Sequence, residues 1–424
     1  MHLEFTDEQL ELRESARAML AKECPPRLVR EVARGGDAAE ALRTQLNWVG
    51  WPALTIDVDL GGLGRSFVEL AVVLEELGRV AAPGPFLATM TQFVPAVREA
   101  GTRAQVHRFL AAVAAGQLNG TLAVHEGGRW DPFSIGATAS RDGDGWVLSG
   151  RKRQVLAYAE VDEIVVAARR SSGSLGLFVV PAADISFARV DSLDGTRSLG
   201  NLELDGVWVP DARMLGDPDA DATPAVAATL AEATVGMALD TIGVCDALFQ
   251  RSLDMALGST AAQAAAPEAT DPATTTRAVI SATLSNGAAG DGDEPAVDGR
   301  GVARTPGQAT RHALAEMLVA LEQARAIVYQ ATAAVAEGHE RAALVASEAK
   351  AAVGACQRTV TARSLETHGR GPHRAEAQLW VRRAQADELL LGSSADHRRI
   401  VADGLFRAAK RQAATAGLGA VLGL

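Results

Sequence analysis

The chain has only three cysteines in 424 residues, Cys24, Cys245 and Cys356, far apart in sequence and in apolar helical contexts. That usage excludes a disulfide framework and reads as reduced, buried thiols of a cytoplasmic protein. Basic residues are outnumbered, 41 Lys and Arg against 52 Asp and Glu, for a formal net charge of -11. With no basic stripe to release counterions from phosphates, a nucleic-acid partner is excluded. No uninterrupted apolar run of about 18 residues is present to span a membrane. The N-terminus opens on acidic residues in place of a basic and then apolar leader. The expectation is a soluble, cytoplasmic chain without membrane insertion. Several short motifs lack their companions. Gly61-Gly62-Leu63-Gly64 has neither the strand before it nor the lysine after it that a phosphate loop needs, and a tight turn suffices. Ser347-Glu348-Ala349-Lys350 lies mid-helix with no partner motif for a nucleophile. No His-Glu-x-x-His or cysteine pair supports a metal site.

What the sequence does have is length and apolar residues. At 424 residues, 48% of them hydrophobic, it exceeds one core, and two or three domains are expected. Thr6 reads as an N-cap with Gln9 as its capping-box partner and Phe5 stapled against Leu10, and helical periodicity runs on from Leu10 to Val32. A second helix starts near Ser66 and stops before Pro83-Gly84-Pro85, and a helix pair fills Val94 to Ala115. Around Gly120 the period changes to alternation. Six short strands are expected: Ser134 to Arg141, Gly145 to Val155, Glu163 to Arg169, Leu175 to Pro181, Ile185 to Val190 and Leu202 to Pro210. Asp142-Gly143-Asp144-Gly145 is the strongest hairpin signal.

From Ala222 the pattern is helical again, with a long apolar helix from Pro224 to about Leu257. Residues 258–306, rich in Ala, Thr, Gly, Pro and Asp, read as a weakly ordered insertion that cannot bury enough surface to offset its ordering entropy. Three more helices are expected: Gln308 to Gly338, Arg341 to about Thr367, and Gln378 onward. The fold class is α+β multidomain. Residues 1–118 form a helical N-terminal domain, 119–217 a β-barrel or sandwich, and 218–424 a C-terminal helical bundle.

Between two of those last helices lies Glu366 to Arg383, with glycines, two histidines, a carboxylate and several arginines. GWPALTIDVDLGGLGRSFVELAVVLEELGRVAAPGPFL, LNGTLAVHE, DGWVLSGRK, LDGTRSLGNLELDGVWVP, GQATRHALAEMLVALEQARAIVYQA and LETHGRG followed by LWVRRAQADELLLGSSADHRRI occur in the order of one family. Together they resemble acyl-CoA dehydrogenases, particularly the actinobacterial branch that works on lipids and steroid side chains. The resemblance covers nearly the whole chain except 258–306. It implies a three-part fold with a C-terminal four-helix bundle, assembled as a dimer of dimers. It also implies FAD, an acyl-CoA thioester substrate and electron transfer flavoprotein as oxidant. A carboxylate would take the proton next to the thioester carbonyl while hydride leaves the β carbon for the flavin.

The resemblance also assigns positions, and several depart from the family pattern. Gln308 would be a flavin-contacting residue at its helix start. The family's Thr-Glu-Pro is His125-Glu126-Gly127. The aromatic and hydroxyl residues that flank the flavin ring fall on Gln154 and Leu156, so the hydroxyl contact is lost. The Arg-x-Gln-Phe-Gly segment for the FAD phosphates is missing after Phe249. A flavin-contacting Gln falls on Glu366, whose charge opposes a pyrophosphate, and the glycine loop becomes Gly369-Arg370-Gly371-Pro372-His373-Arg374. Arg370 and Arg374 are candidates for the CoA phosphates. Counted forward from His368-Gly369 the catalytic carboxylate falls on Glu376; counted back from Leu379 and Arg382-Arg383 it falls on Arg374. Glu376 also reads plainly as a carboxylate complementing a helix N-terminus. Glu232, on the preceding long helix, is a weaker candidate base. Three readings stay open: a self-sufficient dehydrogenase using Glu376, a degenerate subunit paired with a catalytic sister chain, and a non-redox scaffold. The lost flavin contacts favour the second.

Overall fold

The structure is a computed structural model and describes residues 5–257, 307–369 and 372–415. The insertion expected at 258–306, and the candidates Arg370 and Gly371, lie outside the described residues.

Helix α1 (Asp7–Glu23) begins with the expected reciprocal cap: Thr6 Oγ1 accepts from the Gln9 N–H and the Gln9 side chain from the Thr6 N–H. The staple is different. Leu10 is 39% exposed, and Phe5 instead meets Tyr329 edge-on with the Arg13 guanidinium over its ring. The run expected to reach Val32 breaks after Glu23, because Pro25 and Pro26 have no N–H to donate; α2 (Pro26–Ala33) restarts with proline in its first turn. Helix α3 (Ala39–Trp48) follows. Helix α4 (Phe67–Arg79) opens on a Ser66–Glu69 capping box. A short α5 (Phe86–Ala88) leads through a π-helical turn, Thr89–Phe93, into α6 (Val94–Ala100), and α7 (Arg103–Ala114) closes the N-terminal helices.

The middle of the chain is one curled, mixed seven-stranded sheet: β1 (Gly120–Ala123), β2 (Thr138–Asp142), β3 (Gly145–Leu156), β4 (Glu163–Arg170), β5 (Leu175–Pro181), β6 (Ser186–Val190) and β7 (Leu199–Pro210). Its order is β1-β4-β2-β3-β7-β6, with β5 on the other side of β4, and the β1–β4 and β2–β4 pairings are parallel. The expected hairpin joins β2 to β3, with Asp142 opposite Gly145 and Gly143 at φ 59°.

Helix α8 (Thr223–Ala256) is apolar and long enough to cross a membrane, yet 89% of its most apolar window is buried in the protein, as the bundle's central element. Around it pack α9 (Gln308–Ala336) and α10 (Ala342–His368). The last expected helix is two, α11 (Pro372–Asp387) and α12 (Ser394–Thr415). Positive φ at Leu391 and Gly392 turns the chain between them, and Ser393 caps α12 by accepting from the Asp396 N–H. Cys245 and Cys356 meet inside the bundle, where their hydrogen bond and then burial push the Cys245 thiol well above its usual range.

Two features lock the N-terminal helices to the bundle. At the α4–α8 crossing a Cβ on Gly78 would lie 2.0 Å from the Asp240 carbonyl oxygen, and one on Gly243 1.9 Å from that of Glu75, so glycine alone permits the approach. Beside it, Tyr329 donates to Glu75, Arg325 joins Glu75 (3.1 Å) to Asp246 (3.0 Å), and Arg17 reaches Glu76 at 2.8 Å. These charges are buried but mutually paired, as burial demands.

Candidate functional site

The sheet, α8 and the α11–α12 corner enclose a cleft at the junction of the three parts, the usual place for a ligand site. Its floor is formed by Leu122 and Val124 of the β1 exit, Gln154 to Leu156 at the end of β3, Leu230 and Met237 of α8, and Leu390 and Leu391 of the corner. Leu230 and Met237 are seven residues apart, on one helix face. Toward solvent the floor gives onto an open groove walled by Asn201, Ser393, Asp396 and Gly127–Gly128, with a volume of about 450 Å³. His125, Trp130, Arg153 and Gln154 line both parts.

The ends of β1, β2 and β3 are tied together by one half-buried ion pair, in which Lys152 is the buried partner. Lys152 Nζ lies 2.7 Å from Glu126 Oε1 and 3.3 Å from the Val124 carbonyl. Glu126 also accepts from the Gly136 (2.7 Å) and Ala137 (2.9 Å) N–H groups. Burial pulls the Lys152 ammonium below its ordinary pKa. It would raise that of Glu126, but the bonds from Lys152 and the two amides hold Glu126 below the usual carboxylate range. His125, one residue before Glu126, is pushed down by burial and so is held toward the neutral form.

On the opposite side, α11 is anchored by a charge cluster. Arg383 donates to Asp240 (2.9 Å), Thr196 (2.8 Å) and the Ala82 carbonyl (3.1 Å); Arg197 pairs with Asp240 at 2.7 Å and with Asp387. Burial, against the pull of Arg197, pushes Asp387 up to about 6. Lys350 donates to the Asp387 carbonyl, and burial brings its ammonium down to about 8. This cluster fixes the α11 end that delivers Leu390 and Leu391 to the cleft.

The residues expected from sequence to carry the chemistry are elsewhere. Glu376 pairs with Arg251 at 3.0 Å and approaches Arg30 at 3.9 Å, while Arg251 lies over the Trp380 ring. Arg251 is fourteen residues beyond Met237 on α8, about 21 Å along the axis at 1.5 Å per residue. Arg374 donates to the Leu365 and Gly369 carbonyls, both at 3.0 Å, capping α10. Glu366 is exposed and held by Arg363 at 2.7 Å, Gly369 is the α10 C-cap at φ 53°, and Gln308 is exposed at the start of α9. None of these residues lines the cleft. In either register of the loop, the structure puts the position counted as the base at the far end of α8. Glu232 shares a helix with Leu230, but two residues on it faces the other way. It is bound to Arg98 at 2.7 Å, and burial raises its pKa.

Sequence reasoning did single out His125, Gly127, Gln154 and Leu156, which line the cleft, and missed Trp130, Leu390 and Leu391. An aromatic two residues after a pair of glycines, in GGRW, was the available signal for Trp130.

A flavin ring does not fit the floor of this cleft; the outer groove, at about 450 Å³, is large enough for a ligand but open to solvent. Where Gln154 and Leu156 face α8 the cavity holds about 30 Å³, room for a water or two, against roughly 300–1,000 Å³ for a ligand pocket. The floor is mostly aliphatic, and Leu156 cannot donate as a hydroxyl would. Asp396 is the cleft's one lining carboxylate among the described residues, and it stands at the outer groove.

Residues 6–117 match the family model of the acyl-CoA dehydrogenase N-terminal domain, and residues 298–406 that of the acyl-CoA dehydrogenase C-terminal domain. The acyl-CoA dehydrogenase FadE26 of Mycobacterium tuberculosis is 30% identical over 237 residues, which is 52% of this chain and 59% of FadE26, so the chain spans less than two thirds of that relative. The mitochondrial short-chain specific acyl-CoA dehydrogenase of Bos taurus is 25% identical over 409 residues, 93% of this chain and 89% of the bovine one. A solved structure of a variant of the Tcur3481-Tcur3483 steroid ACAD superposes with a TM-score of 0.76 and 25% identity, covering 95% of this chain and 99% of that one.

Proposed function

Because this chain belongs to the acyl-CoA dehydrogenase family, we propose that it is the degenerate subunit of a heteromeric, flavin-dependent acyl-CoA dehydrogenase. A sister chain supplies the FAD and the catalytic base. The assembly desaturates an acyl-CoA thioester at the α,β position, in lipid or steroid side-chain catabolism, and hands its electrons to electron transfer flavoprotein. The observation that carries the reading is the cleft. At the junction where a ligand belongs, the floor is largely aliphatic, with Gln92, His125, Arg153 and Gln154 as its polar members, and among the described residues no carboxylate lines it. α-Proton removal needs a base within about 3 Å of the proton's carbon or one water away. Leu390, Leu391 and Met237 cannot act so. Likeness to FadE26 and to a two-component steroid ACAD supports the substrate class and the heteromer.

The test is to express the chain alone and together with the product of its neighbouring gene, and to record the flavin absorption of each preparation. The expected result is a colourless chain alone and a yellow complex that bleaches on adding acyl-CoA. A yellow homomer reduced by acyl-CoA would overturn the proposal, and a complex that stays colourless with every neighbour would point to a non-redox scaffold.

A further inference from the structure

We propose that Trp130 is the cleft's own occupant, its indole standing where a planar heteroaromatic ring of the flavin class would otherwise enter, so that such a ring binds this chain only in place of Trp130. This rests on the reading that the chain binds no flavin of its own, and adds to it what fills the space.

Trp130 is 6% exposed and lines both the floor and the outer groove, so its ring lies between them. It leans on His125, ring centroids 5.4 Å apart and planes 39° apart. From the other side it meets Gly392, where an added Cβ would sit 2.7 Å from Trp130 Cγ and Cδ1. Gly392 has φ 92°, so glycine is required there twice over, for the turn and for the indole.

The loop that brings Trp130 in is built for the task. Glu126 accepts from Gly136 and Ala137, pinning both feet of a ten-residue excursion at the sheet. Gly127 and Gly128, at φ 108° and 70°, fold the chain back toward the cleft. Arg399 of α12 donates to the Trp130 carbonyl at 3.1 Å, and Arg169 to the Phe133 carbonyl at 3.1 Å. The loop is thereby fastened to the sheet and to the helical side at once. On the floor side, where the cavity holds about 30 Å³, there is no room for a second ring beside the indole, and deleting a buried aromatic from such a setting leaves a cavity that a ring of matching shape fills.

The experiment uses the full-length Trp130→Gly chain with indole and lumiflavin as probes, followed by thermal melts and lumiflavin fluorescence titration. Indole is expected to raise the variant's Tm saturably and not that of the unaltered chain. Lumiflavin should bind the variant at least about tenfold more tightly than the unaltered chain, a difference of about 1.4 kcal/mol, and indole should displace it. A folded variant that takes up neither probe overturns the proposal, as does an unaltered chain that binds lumiflavin equally well. Should the glycine variant not fold, the unaltered chain labelled with 5-fluorotryptophan serves, its Trp130 resonance assigned through Trp130→Phe. A near-zero H2O/D2O solvent shift at that resonance is expected, and a full solvent shift refutes the occupied cleft. A colourless unaltered chain with an unresponsive variant sinks this proposal alone, whereas a yellow homomer reduced by acyl-CoA sinks the silent-subunit reading itself.

Discussion

Replacing Arg383 by Met tests whether the buried charge cluster holds the cleft's helical wall in place. The Arg383 side chain is 2% exposed, and its three donors serve Asp240, Thr196 and the Ala82 carbonyl, so one residue joins α11 to α8, to the approach to β7 and to the turn after α4. Methionine fills similar volume but leaves Asp240 with Arg197 alone and strands two further acceptors. Breaking a buried pair by removing one partner costs about 3–5 kcal/mol. Unfolding entropy of about 2.1 cal/mol/K per residue gives roughly 0.9 kcal/mol/K for the 424 residues. The expected fall in Tm is therefore about 3–6 °C by scanning calorimetry. A double-mutant cycle with Asp240→Asn sharpens the test, because once the Asp240 charge is gone the loss of Arg383 no longer orphans it. The double variant should lose at least about 1 kcal/mol less than the two singles together. A Tm within about 1 °C of the unaltered chain, or additive losses, would refute the reasoning.

Two further expectations follow from the same geometry. Glu376→Gln removes a partly exposed ion pair with Arg251 (the Glu376 side chain is 33% exposed), so it should cost under about 1 kcal/mol and leave turnover of the reconstituted complex unchanged; a loss of about 100-fold would return Glu376 to the role of base. His397, buried and hydrogen-bonded at 2.8 Å to the Leu391 carbonyl, has Lys350, Asp396 and Glu388 around it, and burial brings it down to about 4. The unfolded imidazole, at about 6.5, takes up its proton first. His397's contribution is thus fully present above pH 6.5 and is lost as pH falls toward 4, by about 2 kcal/mol between pH 6.5 and 5. His397→Gln should flatten that part of the Tm–pH profile, and parallel profiles for variant and unaltered chain would show the group plays no such part.

Much of the fold was legible because its signals are local. The cap at Thr6–Gln9 and the hairpin at 142–145 are each written within four residues and formed as read, and the helix start expected near Ser66 is made by a Ser66–Glu69 capping box just as local. The misjudged points are local too, but weaker. The Pro25-Pro26 break was overridden by an apolar period that runs through it, and the α11–α12 corner turns on a leucine at φ 57°, which sequence gives no reason to expect. The site was less legible. Gln154 and Leu156 could be placed from the Gly-x-Lys hairpin because the strand fixes their offset. The corner bearing Leu390 and Leu391 could not, because it is held by contacts such as Arg197 to Asp387, 190 residues apart. Counting from the glycine loop led to Glu376 because a motif sets register only along its own helix, and α11 carries that helix start away from the cleft. Trp130 went unread since its burial depends on Gly392 and Arg399, more than 260 residues on.

The seam at which α4 meets α8 also sets a schedule. Glu75 leaves the ribosome 254 residues before Tyr329, and at about 5–20 residues per second that interval lasts roughly 13–50 s. Throughout it the nascent N-terminal helices carry a carboxylate destined for burial without its phenol, and for the first part of it a helix face at Gly78 that only the later Asp240 backbone can fill. A chain that must wait so long for its own second half needs shelter during translation. Production of this protein should therefore respond to elongation rate and to chaperone supply more than its finished stability would suggest.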